Sequence, residues 1–251
     1  MAPLRIAVLE CDTPLKNTQS RYHGYGGVFE SLLRSGAAAL GEETGTTPEL
    51  NVTKFDVVNA EIFPSLEDVD AILLSGSKHN SFDNDTWILK LVEFTKHVLT
   101  SQRRVKVIGV CFGHQIIGRA LGAKVGRSDK GWEISVSQMD LSKRGKELFG
   151  LDRQLNLHHM HRDIVCYYPE DVEQLGSSPL CEVQGMYAKG RLITVQGHPE
   201  FTGDIVSEIL ESRHASGVFT DGMFEDAMGR VRNKHDGVLV GKAFLKFVIE
   251  G

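Results

Sequence analysis

Two short stretches of this chain hold residue types that carry out acyl chemistry. The first is VKVIGVCFGHQIIGRALG, residues 105–122, in which Cys111 stands between Gly109 and Gly113 in a G-x-C-x-G pattern. A buried strand that ends at Val110 and turns at once into a helix would project the sulfur above a sheet edge. The same arrangement with serine is the nucleophile elbow of α/β hydrolases, where the turn is too sharp for side chains two residues either side. A sulfur at a helix N-terminus meets a dipole and free N–H groups that favour thiolate over thiol. The Phe112 amide would then point where an oxyanion forms.

The second stretch is LITVQGHPEF, residues 192–201. His198 can carry protons, and Glu200 can fix its tautomer. Two-residue spacing on an extended turn points both side chains the same way, and Pro199 stiffens that display. Taken singly, the first motif could be a packed structural cysteine and the second a solvated turn. Together they predict a triad of Cys111, His198 and Glu200, joined through the fold.

The elements that must position these residues can be read from the hydrophobic pattern. Leu4 to Leu9, Val52 to Val58, Ala71 to Leu74 and Val105 to Val110 read as strands. Tyr25 to Leu40 carries Val28, Leu32, Leu33 and Ala37 at helical spacing, and the glycines at 24, 26 and 27 are expected to start this first helix. Trp87, Leu91, Phe94 and Val98 mark a second helix with Asp85 as its expected N-cap. A third runs from Gly113 to Leu121, closed by Gly122. This βαβα order implies a mostly parallel sheet with helices on both faces. From Lys124 to Gln196 the texture changes to strands separated by turns, which predicts an antiparallel section added to the sheet. Thr202 to Gly251 reads as helical. No repeat or linker divides residues 1–251, so one domain is expected.

CFGHQ at 111–115 and QGHPE at 196–200 resemble the two signature motifs of class I glutamine amidotransferases, and the resemblance extends over most of the chain. It implies an open, flavodoxin-like α/β sheet and a γ-glutamyl thioester formed on Cys111, with His198 as general acid/base and Glu200 orienting it. Gln115 would help bind the glutamyl group, and the SGS loop at 75–77 would supply Gly76 as a second oxyanion donor beside Phe112. The segment LHHMHRD, residues 157–163, would lie near the glutamyl α-amino and carboxylate groups, with His161 and Asp163 as substrate contacts. The sequence departs from the family pattern at Gly197, where an aromatic residue usually precedes the histidine, and in lacking Gly-Gly-Pro in the oxyanion loop. In QGHPE, CFGHQ and the KGW at 130–132 it looks similar to the γ-glutamyl peptidase branch of plants and to fungal relatives. Gly197 is expected to enlarge the site for a leaving group bigger than ammonia.

Bulk properties narrow the remaining choices. The 251 residues carry a net charge of −5, with 41% hydrophobic and 24% charged residues, which offers no basic field for nucleic acid or anionic lipid. No run approaches the ~18 apolar residues of a membrane span. The opening MAPLRIAVLECD has no signal-peptide layout, and the four cysteines form no CxxC pair, so free thiols in the cytoplasm are expected. Cys11, Cys166 and Cys181 are expected to be packing residues. His159 and His161 share a strand face, but no carboxylate cluster accompanies them in sequence, so neither a metal nor another cofactor is expected.

The expected substrate is glutamine or a γ-glutamyl conjugate. No G-x-x-x-x-G-K-[ST] phosphate loop is present, so an amidotransferase reading requires a separate synthetase subunit. A hydrolase acting alone is the preferred reading. A regulatory or redox-sensing protein on the same fold is the alternative from another class.

Overall fold

The computed structural model describes residues 2–250. The chain runs β1 (Leu4–Glu10), α1 (Lys16–Tyr22), α2 (Tyr25–Thr44), β2 (Leu50–Asp56), β3 (Ala71–Leu74), α3 (Thr86–Ser101), β4 (Lys106–Val110), α4 (Phe112–Ala120) and β5 (Val125–Arg127). It continues through β6 (Glu133–Leu141), α5 (Lys143–Phe149), β7 (Leu155–His161), β8 (Asp163–Val165), β9 (Glu173–Ser177), β10 (Gly185–Ala188) and β11 (Leu192–Val195). Three helices follow: α6 (Gly203–Ala215), α7 (Asp221–Arg230) and α8 (Gly237–Glu250).

Nine strands form one sheet in the order β2-β1-β3-β4-β11-β10-β9-β6-β7, and β5 and β8 make a separate ribbon. The β2-β1-β3-β4-β11 half is parallel, and the other half is antiparallel, as the change of texture after Lys124 predicts. The parallel strands are apolar throughout because both faces are covered. Ile6 and Val8 of β1 face a core built with α2 and α8, while Ala7 and Leu9 face one built with α3 and α4. The period-two alternation repeats in β3, where Ala71 and Leu73 join the first core and Ile72 and Leu74 the second. A third cluster packs α6 and α7 against Ile134 and Met160.

The chain passes from β1 out to β2, then back to β3 on the other side of β1. Such a reversal opens a crevice at the C-terminal ends of parallel strands, where open α/β folds bind ligands. The segments after β1, β3, β4 and β11 all emerge there.

Three expectations need correction. The first helix is α1, and the glycine-rich segment starts the second; α1 escapes pattern reading because it is short and polar. Its N-terminal amides are capped from a distance, since Asn17 N–H, Thr18 N–H and the Thr18 hydroxyl all donate to Glu208 of α6, at 2.7, 3.0 and 2.6 Å. Asp85 occupies the N-cap position of α3, yet its side chain makes no capping hydrogen bond. Cys11 and Cys181 are buried as expected, but Cys166, just past β8, is exposed and packs nothing. Among the described residues no helix is long and apolar enough to cross a membrane.

Phe244 of α8 is fully buried in the first core. Phe244→Ala should cost about 3–5 kcal/mol through lost burial and the cavity left behind. Denaturant unfolding measures it, and a loss below about 1 kcal/mol would contradict this account of the core.

Candidate active site

The turn between β4 and α4 is as sharp as the glycine pattern requires. Cys111 has φ 52° and ψ −104°, a left-handed conformation that costs a non-glycine residue on the order of 1–3 kcal/mol. Its neighbours hold it there: Cys111 N–H donates to the Val195 carbonyl at 3.0 Å, and Gly113 N–H donates to the Ser75 carbonyl at 3.1 Å. A Cβ on Gly113 would lie 2.3 Å from the Leu74 carbonyl oxygen, and one on Gly109 would lie 2.5 Å from Ile117 Cδ1. Both glycines are required by close approach.

His198 leaves the end of β11 and donates its backbone N–H to the His158 carbonyl at 2.7 Å. Its Nδ1 lies 2.7 Å from Glu200 Oε1, which leaves Nε2 for Cys111, a side-chain partner of the same ring. The imidazole stacks on Phe201 with 4.0 Å between centroids and 1° between planes. Burial works against a charged ring, but Cys111 and Glu200 outweigh it and push His198 up to about 10. Two other buried histidines behave oppositely. Burial pushes His159 down to about 4 and His114 down to about 3, so both are neutral near pH 7.

Gly76 reaches the same point from β3. A Cβ there would lie 2.7 Å from His198 Cε1 and 3.7 Å from Cys111 Cβ, so only a glycine lets this loop pass. The Ser75 hydroxyl fixes the loop by accepting from Cys11 N–H and donating to the Gly76 carbonyl, both at 2.9 Å. The Gly76 and Phe112 amides make no hydrogen bond among the described residues. The arrangement can supply a nucleophile, a proton carrier with a fixed tautomer, and two free backbone donors.

The remaining expected residues line the cleft beside Cys111. The Gln115 carboxamide donates to the Asp163 carbonyl at 2.7 Å and to Gln196 Oε1 at 3.1 Å, and accepts from Ser81 Oγ at 2.8 Å. It therefore braces the cleft wall and keeps acceptor capacity but no free donor. The Asp163 carboxylate faces the cleft and accepts from Arg127 Nε at 3.1 Å. His161 Nε2 lies 3.1 Å from Glu133 Oε2 and 3.3 Å from His159 Nδ1.

Glu133, on the neighbouring strand β6, supplies the carboxylate that the sequence around His159 and His161 lacks. These three residues are the one set among those described whose donors converge as metal ligands would. Gln184 Nε2 already donates to Glu133 at 2.7 Å, so a hydrogen-bond network joins the cluster, with His159 Nε2, His161 Nδ1 and Gln184 Oε1 left without partners among the described residues.

Gly197 does not enlarge the site. A Cβ there would meet Leu157 Cβ and His159 Cε1 at 3.0 Å, so the glycine makes room for β7 rather than for a ligand.

Residues 15–212 match the glutamine amidotransferase class-I family, and a glutamine amidotransferase-like protein of Schizosaccharomyces pombe is 35% identical over 98% of both chains. This chain belongs to the class I glutamine amidotransferase family. Membership places it among enzymes that act on amide bonds. It is also similar to gamma-glutamyl peptidase 2 of Arabidopsis thaliana, with 32% identity over 91% of this chain and 88% of that one. The crystal structure of a glutamine amidotransferase from Thermotoga maritima shares the fold, with a TM-score of 0.74 at 15% identity over the whole of both chains.

Sequence reasoning missed the cations around this amidotransferase-like site. Lys78, Arg127, Arg162 and Arg213 all line the Cys111 cleft. They come from four separate parts of the chain, and of them only Arg162 falls within a segment the sequence singles out, LHHMHRD.

The raised His198 value makes a solution prediction. In the folded chain it lies at about 10, above the ordinary imidazole value of 6.5. The stabilisation from the charged ring is therefore complete below about pH 6.5 and lost as pH rises through 10. NMR titration should show no His198 deprotonation between pH 5 and 8.5, and Cys111→Ala should lower the midpoint because burial then meets less opposition. An unchanged midpoint in the variant would show that Cys111 does not hold the proton on the ring.

Proposed function

We propose that the protein hydrolyses a γ-glutamyl amide or peptide bond through a γ-glutamyl thioester on Cys111. The observation that carries this reading is the meeting of Cys111, the His198–Glu200 pair and the free Gly76 and Phe112 amides at one point of the sheet edge. Family membership and the similarity to plant γ-glutamyl peptidases support it.

In this mechanism the Cys111 sulfur, paired with the His198 imidazolium, attacks the γ-carbonyl carbon. The two amides receive the oxygen as it gains charge, and because they are already aimed and unpaired they need no reorganisation. His198 Nε2–H protonates the departing nitrogen as the C–N bond breaks, which leaves the thioester and a neutral ring. That ring takes a proton from water as the water oxygen attacks the thioester, and glutamate leaves with Cys111 restored. Glu200 keeps the proton on Nδ1 throughout, so that Nε2 alone exchanges protons with the reactants. In this reading Asp163, which lines the Cys111 cleft, takes the glutamyl α-ammonium.

Two clefts flank the reacting atoms. One contains Cys111, Gln115 and Asp163; the other contains Gly76, His198 and Phe201. The leaving nitrogen must face His198, so the second cleft is the leaving-group side. Its volume of about 230 Å³ leaves room for a product larger than ammonia, which supports a stand-alone hydrolase over delivery of ammonia to a separate synthetase.

The purified chain should release glutamate from γ-glutamyl conjugates more readily than from glutamine. Cys111→Ala should lower the rate by about 10³-fold or more. A chain that releases glutamate from glutamine alone, and only when a synthetase is added, would reverse the preference in favour of the amidotransferase reading.

A further inference from the structure

Trp132 stands at the mouth of the Cys111 cleft between two arginines. Arg162 Cζ lies 4.9 Å from its ring centroid and Arg213 Cζ lies 4.8 Å away. Phe219 meets Trp132 edge-on, and Arg213 Cζ is 5.9 Å from the Phe219 ring. Stacking of this kind holds a guanidinium flat and leaves its N–H edge free for a planar acceptor.

Among the described residues no acceptor pairs with Arg213. Nine arginines form ion pairs, among them Arg5, Arg127 and Arg153. Arg119 and Arg191, without carboxylates, donate to backbone carbonyls instead. Arg213 has no ion-pair partner among the described residues, and its Nη1 is buried with no hydrogen bond. A half-buried cation left in this way is costly unless a ligand completes it. Burial also lowers its pKa, although an arginine so placed still carries its charge.

The position of Arg213 indicates which ligand group would complete it. It borders both clefts, the one holding Cys111 and the one holding His198. The other cation shared by both, Lys78, is already paired with Asp12 at 2.8 Å. Around the second cleft Tyr25, Met160, Phe201 and Ile209 provide an apolar wall. A leaving group there meets that apolar wall, the Lys78–Asp12 pair and one unpaired guanidinium.

We propose that Arg213, held against Trp132 and Phe219, is a specificity-determining residue that binds the carboxylate of the leaving group. The preferred substrates are then γ-glutamyl amino acids or short γ-glutamyl peptides. This rests on the reading of Cys111 and His198 given above. Planar, bidentate pairing of guanidinium with carboxylate is the strong form of this contact, so an ammonium at the same place is a poor substitute.

The test compares γ-glutamylalanine with γ-glutamylethylamide, which differ only by the leaving-group carboxylate. Wild type should favour γ-glutamylalanine in kcat/KM. Arg213→Met should lose about 10- to 100-fold on γ-glutamylalanine, mainly through KM, and at least tenfold less on the ethylamide. Arg213→Lys should recover part of the loss. Equal losses on both compounds would assign Arg213 to the glutamyl group and overturn the proposal.

Binding to Cys111→Ala, followed by calorimetry, separates this proposal from the hydrolase reading. Tighter binding of γ-glutamylalanine, abolished by adding Arg213→Met, supports the carboxylate site even if wild type turns over neither compound. Equal affinity, or no binding of either, overturns it.

Discussion

An L-residue resists the backbone conformation of Cys111, and the structure around it is arranged so that relaxation is blocked. The cost of on the order of 1–3 kcal/mol is small beside the close packing that would be lost if the turn opened. Hydrogen bonds tie Cys111 to β11 and Gly113 to the exit of β3, so the turn is clamped from both neighbouring strands. That clamp depends on register: Leu74 pairs with Gly109, and Val195 pairs with Val110. A slip of one residue in either strand would reverse every buried side chain, and burial on both faces forbids it. The two helical layers thus serve the site indirectly, by fixing the strands that fix the turn.

The same strand ends set the electrostatics. His198 is buried, and a buried imidazole normally loses its proton, as His159 and His114 do. Cys111 and Glu200 together push the His198 ring toward its charged form, and Glu200 holds Nδ1. Phe201 covers one face of the ring and excludes water from the pair. In contrast, burial pushes the Cys11 thiol up to about 12, which leaves it inert although it sits only two residues past Leu9.

Behind the reacting groups lies a polar layer that the proposed chemistry uses only for support. Gln115, Ser81 and Gln196 are hydrogen-bonded to one another and to the backbone of Asp163. Glu133, His159 and His161 form a second network one strand further out. The hydrogen-bonded members of these networks stiffen the wall, while Gln196 Nε2, His159 Nε2 and His161 Nδ1 have no partner among the described residues. Glu208 performs a similar service at the opposite side, where it caps α1 from α6 and so joins the N-terminal segment to the helix that carries Arg213.

The Cys111 elbow, the His198–Glu200 pair and the parallel-then-antiparallel order of strands were legible in the residues themselves. Each rests on local rules: glycine where a turn is tight, two-residue spacing on an extended segment, apolar runs for strands buried on both faces. Tertiary structure alone decided the rest, because those features join residues remote in sequence. Glu133 joins His159 and His161 only because β6 pairs with β7. Glu208 caps α1 only because α6 packs beside it. Gly197, read locally, looked like room for a ligand, and the chain instead filled that space with β7. Arg213 carries no local signal at all: it becomes distinctive only where Trp132 and Phe219 pack against it and no carboxylate among the described residues pairs with it. Spacing along a chain encodes periodicity and turns, whereas the absence of a partner is a property of three-dimensional surroundings.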